Sequence, residues 1–133
     1  MRRNDPASLK ALATPYGGHR YLVIPRLMTW KNARSFSGKM GGHLATVGGR
    51  EEEQAIRALP CLGDEDLWLG LARDKEAATW VTGEPVTHTS YADPSEENIV
   101  GFTYLNPPSL TGWRAVPASQ VSAKAFVLEW DEP

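Results

Sequence analysis

Short apolar runs along the chain are separated by glycine and proline, and the spacing of the apolar positions changes twice. Tyr21-Leu22-Val23-Ile24, closed by Pro25, has the pattern of a short buried strand. Thr29 then offers a side-chain N-cap. Beyond it Ala33, Phe36, Ser37 and Met40 recur at helical spacing, predicting a helix of about eleven residues. Gly41-Gly42 ends that helix, since glycine tolerates the left-handed position that follows a helix. Residues 43–47 read as an extended link. A second helix is predicted over 50–59. Glu51, Glu52 and Glu53 fill its first turn, where negative charge suits the helix dipole. Ala55, Ile56 and Leu59 form its inner face, and Pro60 stops it.

After Cys61 the pattern becomes that of strands, predicted over 67–71, 79–81, 99–105, 113–116 and 125–130. A long irregular stretch, 82–98, holds Gly83, Pro85 and Pro94. One strand, two helices and then several antiparallel strands make an α+β layout. A loop of this length is usually functional or disordered, so binding is expected to reside there. Residues 1–18 are weakly patterned: 8–13 can make one or two helical turns, bounded by Pro6 and Pro15. They read as a leader or linker ahead of a single domain at 19–133.

Composition narrows the function classes. The 133 residues carry a formal net charge of -2 and no Lys/Arg-rich run, which argues against a nucleic-acid or anionic-membrane partner. Apolar runs such as 21–24 and 125–128 are far too short to span a bilayer, so no membrane insertion is expected. Cys61 is the only cysteine, which rules out an intrachain disulfide and a zinc site built on several cysteines. Met1-Arg2-Arg3 runs into Asn4-Asp5-Pro6 rather than an apolar segment, so no signal peptide is read. The compartment stays open between a cytosolic protein and one domain of a longer chain.

Several motifs together resemble the C-type lectin-like domain. They are Thr29-Trp30-Lys31-Asn32-Ala33, Gly41-Gly42-His43-Leu44-Ala45-Thr46, Glu51-Glu52 and Trp68-Leu69-Gly70-Leu71-Ala72-Arg73-Asp74. Trp80 with Gly83, Trp113, and Phe126-Val127-Leu128-Glu129 continue the series. The family patterns are T-W-x-x-A, G-G-H-L-A-T, E-E, W-L-G-L-x-R-D, W-x-x-G and F-V-C-E, and their order covers residues 17–130. The resemblance implies a C-type lectin-like fold: two helices flanking small antiparallel sheets, chain ends meeting in one sheet, and a long loop region. Trp30, Trp68, Trp80 and Trp113 fall at family core positions.

The departures carry as much information. Ser37 and Leu128 stand where the family has a bonded cysteine pair. Such a bridge is typically worth about 2–4 kcal/mol, and apolar packing around Trp30, Trp68 and Leu128 is expected to offset its loss. Calcium-dependent members hold the ion, and through it a sugar, with E-P-N or Q-P-D in the loop and W-N-D in the strand after it. Here those positions read Asp93-Pro94-Ser95 and Trp113-Arg114-Ala115. Calcium wants roughly six to eight oxygen ligands, and a guanidinium at that place repels a cation. The usual calcium-sugar site is therefore expected to be broken. Glu84-Pro85-Val86 begins like E-P-N but sits at the turn after Trp80 and Gly83, where proline suits a turn.

Three function classes follow. The first is a non-catalytic ligand-binding module that recognises a protein or glycan through the loop, independently of calcium. Its candidate contacts are Tyr91, Asp93, Ser95, Glu96, Glu97, Asn98, Trp113 and Arg114, with Phe102 and Tyr104 flanking them and no cofactor or metal. The second is a calcium-dependent lectin using substitute ligands among Asp93, Glu96, Glu97 and Asn98, a set more simply read as a solvated acidic loop. The third is an enzyme on the same fold. No G-x-S-x-G elbow, paired glycosidase carboxylates or partnered cysteine supports it. Glu52 and Glu129 fall where some family members hold a structural calcium, but read more simply as a helix-dipole carboxylate and a salt-bridged edge residue. His19, His43 and His88 show no metal-ligand spacing.

Overall fold

The elements run in the order α1 (Pro6–Leu12), β1 (Thr14–Tyr16), β2 (His19–Ile24), α2 (Trp30–Lys39), β3 (His43–Leu44) and α3 (Arg50–Arg57). Then come β4 (Leu67–Arg73), β5 (Ala78–Trp80), a 3-10 helix (Pro94–Asn98), β6 (Gly101–Leu105), β7 (Trp113–Pro117) and β8 (Ala125–Asp131). The computed structural model describes residues 6–59, 66–89, 91, 94–105, 113–117 and 123–131. Pro60, Cys61 and Asp93 lie outside the described residues.

Local chemistry explains the helices. The Thr29 side chain accepts the Asn32 amide proton at 3.2 Å and starts α2. Gly41, at φ 84°, takes the left-handed position after it. Among the described residues the α-helices number three rather than two, because part of 1–18 forms α1. Leu9 and Ala13 are buried in the same cluster as Ile24 and Trp30, and β1 pairs with β2. The loop also carries a 3-10 turn that hydrophobic patterning does not reveal, since its residues Pro94-Ser95-Glu96-Glu97-Asn98 are nearly all polar.

The strands join in one mixed sheet, ordered β1-β2-β8-β4-β6-β7, rather than in separate small antiparallel ones. β3 pairs with β8, and β5 with β4. Six residues of β2 pair antiparallel with β8, from His19 opposite Asp131 to Ile24 opposite Phe126. β8 meets β4 in parallel at Leu67 with Ala125 and Trp68 with Phe126. Six of the seven β8 residues are buried.

Trp30, Trp68 and Leu128 are all buried. All three belong to one buried cluster with Ala33, Leu44 and Phe126. Ser37 is buried, and its hydroxyl donates to the Ala33 carbonyl at 2.9 Å, so it carries no unmet polar group into the interior. Three indoles add directional ties: Trp30 Nε1 donates to Leu69 O (2.7 Å), Trp68 Nε1 to Met28 O (2.9 Å) and Trp130 Nε1 to Met40 O (2.9 Å). These bonds fasten α2 to β4, β4 to the segment before α2, and β8 to the end of α2.

Gly70 is required by close approach. Its N–H donates to Ala45 O at 2.7 Å, and a Cβ there would stand 2.7 Å from Leu44 O and 2.9 Å from Val81 Cγ2. Overpacking of this kind costs about 1–3 kcal/mol or more. Gly38, in α2, has open space where its Cβ would be. Urea denaturation should therefore show Gly70→Ala destabilised by at least that amount and Gly38→Ala stabilised by roughly 1 kcal/mol, the helical gain of alanine over glycine. Trp68→Ala should lose about 3–5 kcal/mol. A Gly70→Ala chain as stable as wild type would refute the packing described.

Candidate functional site

The long loop is held over β7 by aromatic contacts. Trp113 is fully buried and meets the rings of Trp80, His88 and Tyr91 edge-on, at 5.9, 5.8 and 5.6 Å between centroids. Its place is beneath the loop; its indole has no exposed face to offer a ligand. Tyr91 forms a parallel bridge with Trp113, and its hydroxyl hydrogen-bonds the buried Thr103 Oγ1 at 2.9 Å. At the loop's start His88 Nε2 lies 2.7 Å from Glu53 Oε1, which ties the loop to α3. Glu84, the E-P pair's carboxylate, accepts from the hydroxyls of Thr82 (2.6 Å) and Thr46 (3.0 Å), so it secures the turn.

The predicted contact residues separate into two groups. Tyr91 and Asn98 line a cleft of about 350 Å³ with Leu71, Arg73, Glu76 and Val86, between the loop and the β4–β5 hairpin. Glu96 and Arg114 lie at β7 and engage one another. Arg114 Nε donates to Glu96 Oε1 (2.9 Å) and Oε2 (3.0 Å), its Nη2 donates to Oε2 (2.8 Å), and the Ala115 amide donates to Oε1 (3.0 Å). Glu96, one of the carboxylates considered as a substitute calcium ligand, is thus taken by a guanidinium and a backbone N–H. Ser95 is exposed on the 3-10 helix, only the backbone of Glu97 is described, and Asp93 lies outside the described residues.

A second constellation was not legible from spacing. Pairing with β8 places His19 opposite Asp131, and both Tyr21 and His43 opposite Glu129. Glu129 is not an edge residue: it is fully buried in the central strand. Its Oε1 accepts the Thr46 amide at 3.0 Å. Glu52, in the first turn of α3, accepts the Gly48 amide at 2.7 Å, and its other oxygen accepts from the Tyr21 hydroxyl. Burial first, and the Asp131 carboxyl next, push the Glu129 pKa up. Asp131 is held well below the usual carboxylate range, chiefly by its hydrogen bond with Glu129 and further by His43 and His19. The two carboxyls therefore titrate as a coupled pair. Burial, followed by the Glu52 hydrogen bond, raises the Tyr21 phenol.

No helix among the described residues is long and apolar enough to cross a membrane.

Comparison with known proteins gives consistent results. The family described as the Lectin C-type domain matches residues 26–121. Snaclec bitiscetin subunit alpha from Bitis arietans is 27% identical over 100 residues, 69% of this chain and 76% of that protein. Among solved structures, human lithostathine superposes with a TM-score of 0.79 at 21% identity, covering 90% of this chain and 88% of that one. The Ca2+-independent C-type lectin SPL-2 from Saxidomus purpuratus does so with a TM-score of 0.78 at 19% identity, covering 90% and 91%.

The Arg114–Glu96 contact is at the surface, with 45% of the Arg114 side chain exposed, so its worth is bounded at about 1 kcal/mol or less. Glu96→Gln removes the charge and keeps an acceptor for the Ala115 amide. Urea denaturation should show a loss within that bound, larger at low than at high salt. A loss of several kcal/mol, or one indifferent to salt, would contradict a screened surface pair.

Proposed function

This chain is a member of the C-type lectin domain family, and from that premise we propose that it is a non-catalytic binding module that recognises a protein or glycan without calcium, through the long loop and the cleft beside it. The observation that carries the reading is the bidentate grip of Arg114 on Glu96. In calcium-dependent relatives an ion organises the loop against the following strand. Here a cation supplied by the chain occupies that role, and the Ala115 amide completes the coordination of the carboxylate. The ring of Tyr91, the amide of Asn98 and the charges of Arg73 and Glu76 suit the cleft to a polar ligand. The Saxidomus lectin, a similar fold at low identity, is described as calcium-independent and supports the same reading.

The test is a glycan array and a peptide library, each probed with the labelled chain in calcium and in EDTA. Binding should survive EDTA, and calcium at millimolar concentration should leave the melting temperature unmoved, because loss of two or more oxygen ligands takes affinity to millimolar or weaker. Arg73→Ala and Asn98→Ala should each weaken binding of the selected ligand several-fold with little change in stability. A calorimetric calcium site of micromolar affinity, abolished by Asp93→Ala, would overturn the reading and restore a calcium-dependent lectin.

A further inference from the structure

We propose that His19, His43, Glu129 and Asp131 form a binding site for a zinc-like divalent transition-metal ion at the C-terminal end of β8. The proposal is independent of the loop and of any ligand bound there.

The site is assembled by three strands. His19 comes from β2, His43 from β3, and the two carboxylates stand two residues apart on β8 between them. Strand alternation puts residues 129 and 131 on one face of the sheet. The contacts are close: His19 Nδ1 to Asp131 Oδ1 2.7 Å, His19 Nδ1 to Glu129 Oε2 2.7 Å, and His43 Nε2 to Asp131 Oδ2 2.9 Å. The potential ligand atoms of His43, Glu129 and Asp131 all lie within 4.8 Å of one another, as do those of His19, Glu129 and Glu52.

Two features distinguish this cluster from an ordinary ion-pair network. The first is Glu129 Oε2. A single N–H on His19 Nδ1 cannot point at two carboxylates, and the geometry gives it to Asp131. Oε2 is then a fully buried oxygen, aimed into the cluster, with no hydrogen-bond donor among the described residues. Without an ion, a proton shared with Asp131 offsets the cost of burying this atom; a metal cation displaces that proton and meets the oxygen instead. The second is His43. Its Nδ1 lies 2.7 Å from the Leu44 carbonyl, which can only accept, so Nδ1 carries a proton. Its Nε2 faces Asp131 Oδ2 at 2.9 Å, and release of the proton shared in that contact frees the Nε2 lone pair for a metal. An imidazole whose second nitrogen is fixed by a backbone carbonyl is the usual arrangement around a metal-bound histidine.

The donor set decides which ion fits. Two imidazoles and two carboxylates suit zinc and its neighbours, which accept nitrogen and oxygen in four-coordinate geometry. They suit calcium poorly, since calcium prefers oxygen throughout, and both oxygens of Glu52 are already engaged by Gly48 and Tyr21. Ligand atoms sharing a tetrahedral zinc at ~2.0–2.1 Å stand ~3.3 Å apart. The present contacts need to open by roughly half an ångström to reach that spacing. The half-exposed side chains of His19 (35%) and Asp131 (49%) leave freedom for this adjustment and a path of entry.

Isothermal titration of the chelator-treated full chain with zinc chloride should give one ion per chain at micromolar affinity or tighter, and zinc should raise the melting temperature where calcium does not. His19→Ala and His43→Ala should each weaken zinc at least tenfold, whereas Glu51→Gln, in the exposed first turn of α3, should not. Cobalt(II) added to the wild-type chain should give the visible bands of a four-coordinate ion without thiolate charge transfer. That spectrum keeps the test open should a histidine variant fail to fold. Absence of zinc binding, equal stabilisation by calcium, affinity unchanged in both histidine variants, or an octahedral or thiolate cobalt spectrum would each overturn the proposal.

Discussion

The pairing of β2 with β8 is the constraint on which the rest of the structure depends. It joins residues more than a hundred positions apart, from His19 with Asp131 to Ile24 with Phe126. Closing so long a loop costs chain entropy, which relatives of this fold reduce with disulfides and this chain cannot. The compensation is burial along β8, where only Asp131 is exposed, together with neighbours on both sides of the strand. The indole donors of Trp30, Trp68 and Trp130 add direction to that burial. Each spends its single N–H on a main-chain carbonyl of another segment, so the tryptophans position elements as well as fill space. Ser37 shows how the cysteine position can be made polar at little cost, its hydroxyl being returned to its own helix.

Once β8 is fixed, the segment after β3 is fixed with it, and through that segment the loop. The Ala45 amide donates to Val127 O, and the Thr46 amide to Glu129 Oε1. The Thr46 hydroxyl reaches Glu84, and Gly48 receives the Thr87 hydroxyl at its carbonyl and gives its amide to Glu52. Residues 46–48 thus lie between the buried carboxylate of β8 and the base of the long loop. From there the loop passes His88 and Tyr91 over Trp113 and ends in the 3-10 turn that presents Glu96 to Arg114. The loop is anchored at both ends by ordinary side chains.

What the sequence made legible was local or cumulative. The N-cap at Thr29, the glycine stop after α2, the acidic first turn of α3 and the order of the strands each follow from signals a few residues long. The family motifs add up because their order is preserved. The candidate site was legible in part: the replacement of calcium ligands by Arg114 and Ala115 can be read directly, but the bond from Arg114 to Glu96 needs the 3-10 turn, which has no apolar period to betray it. Trp113 looks the same in sequence whether it forms a floor or a platform, and only its burial separates the two. Glu129 was misplaced for a related reason. A carboxylate in the last strand suggests an edge, and the flanking of β8 by β2 and β3 is a non-local fact. The histidines are harder still. His19 and His43 lie 24 positions apart and Asp131 a further 88, so no spacing rule connects them; register does.

The two polar clusters answer the same electrostatic problem with different chemistry. Each places carboxylates against the sheet, where an unmatched negative charge is expensive. At β7 the answer is a guanidinium, which stays protonated in any solution the protein will meet and offers a rigid fork matched to Glu96. That cation belongs to the chain, so the Glu96 carboxylate is met there without a dissolved ion. At the end of β8 the answer is a pair of imidazoles. These carry lone pairs as well as protons and can exchange one for a metal. One carboxylate there, Glu129, is buried beyond the reach of water, while His19 and Asp131 remain at the surface. A permanent internal cation closes a site to ions; titratable nitrogen ligands around a buried oxygen keep one open. Under the proposed reading an internal cation takes the place of a loop ion, and the proposed metal site lies where β2 and β8 meet.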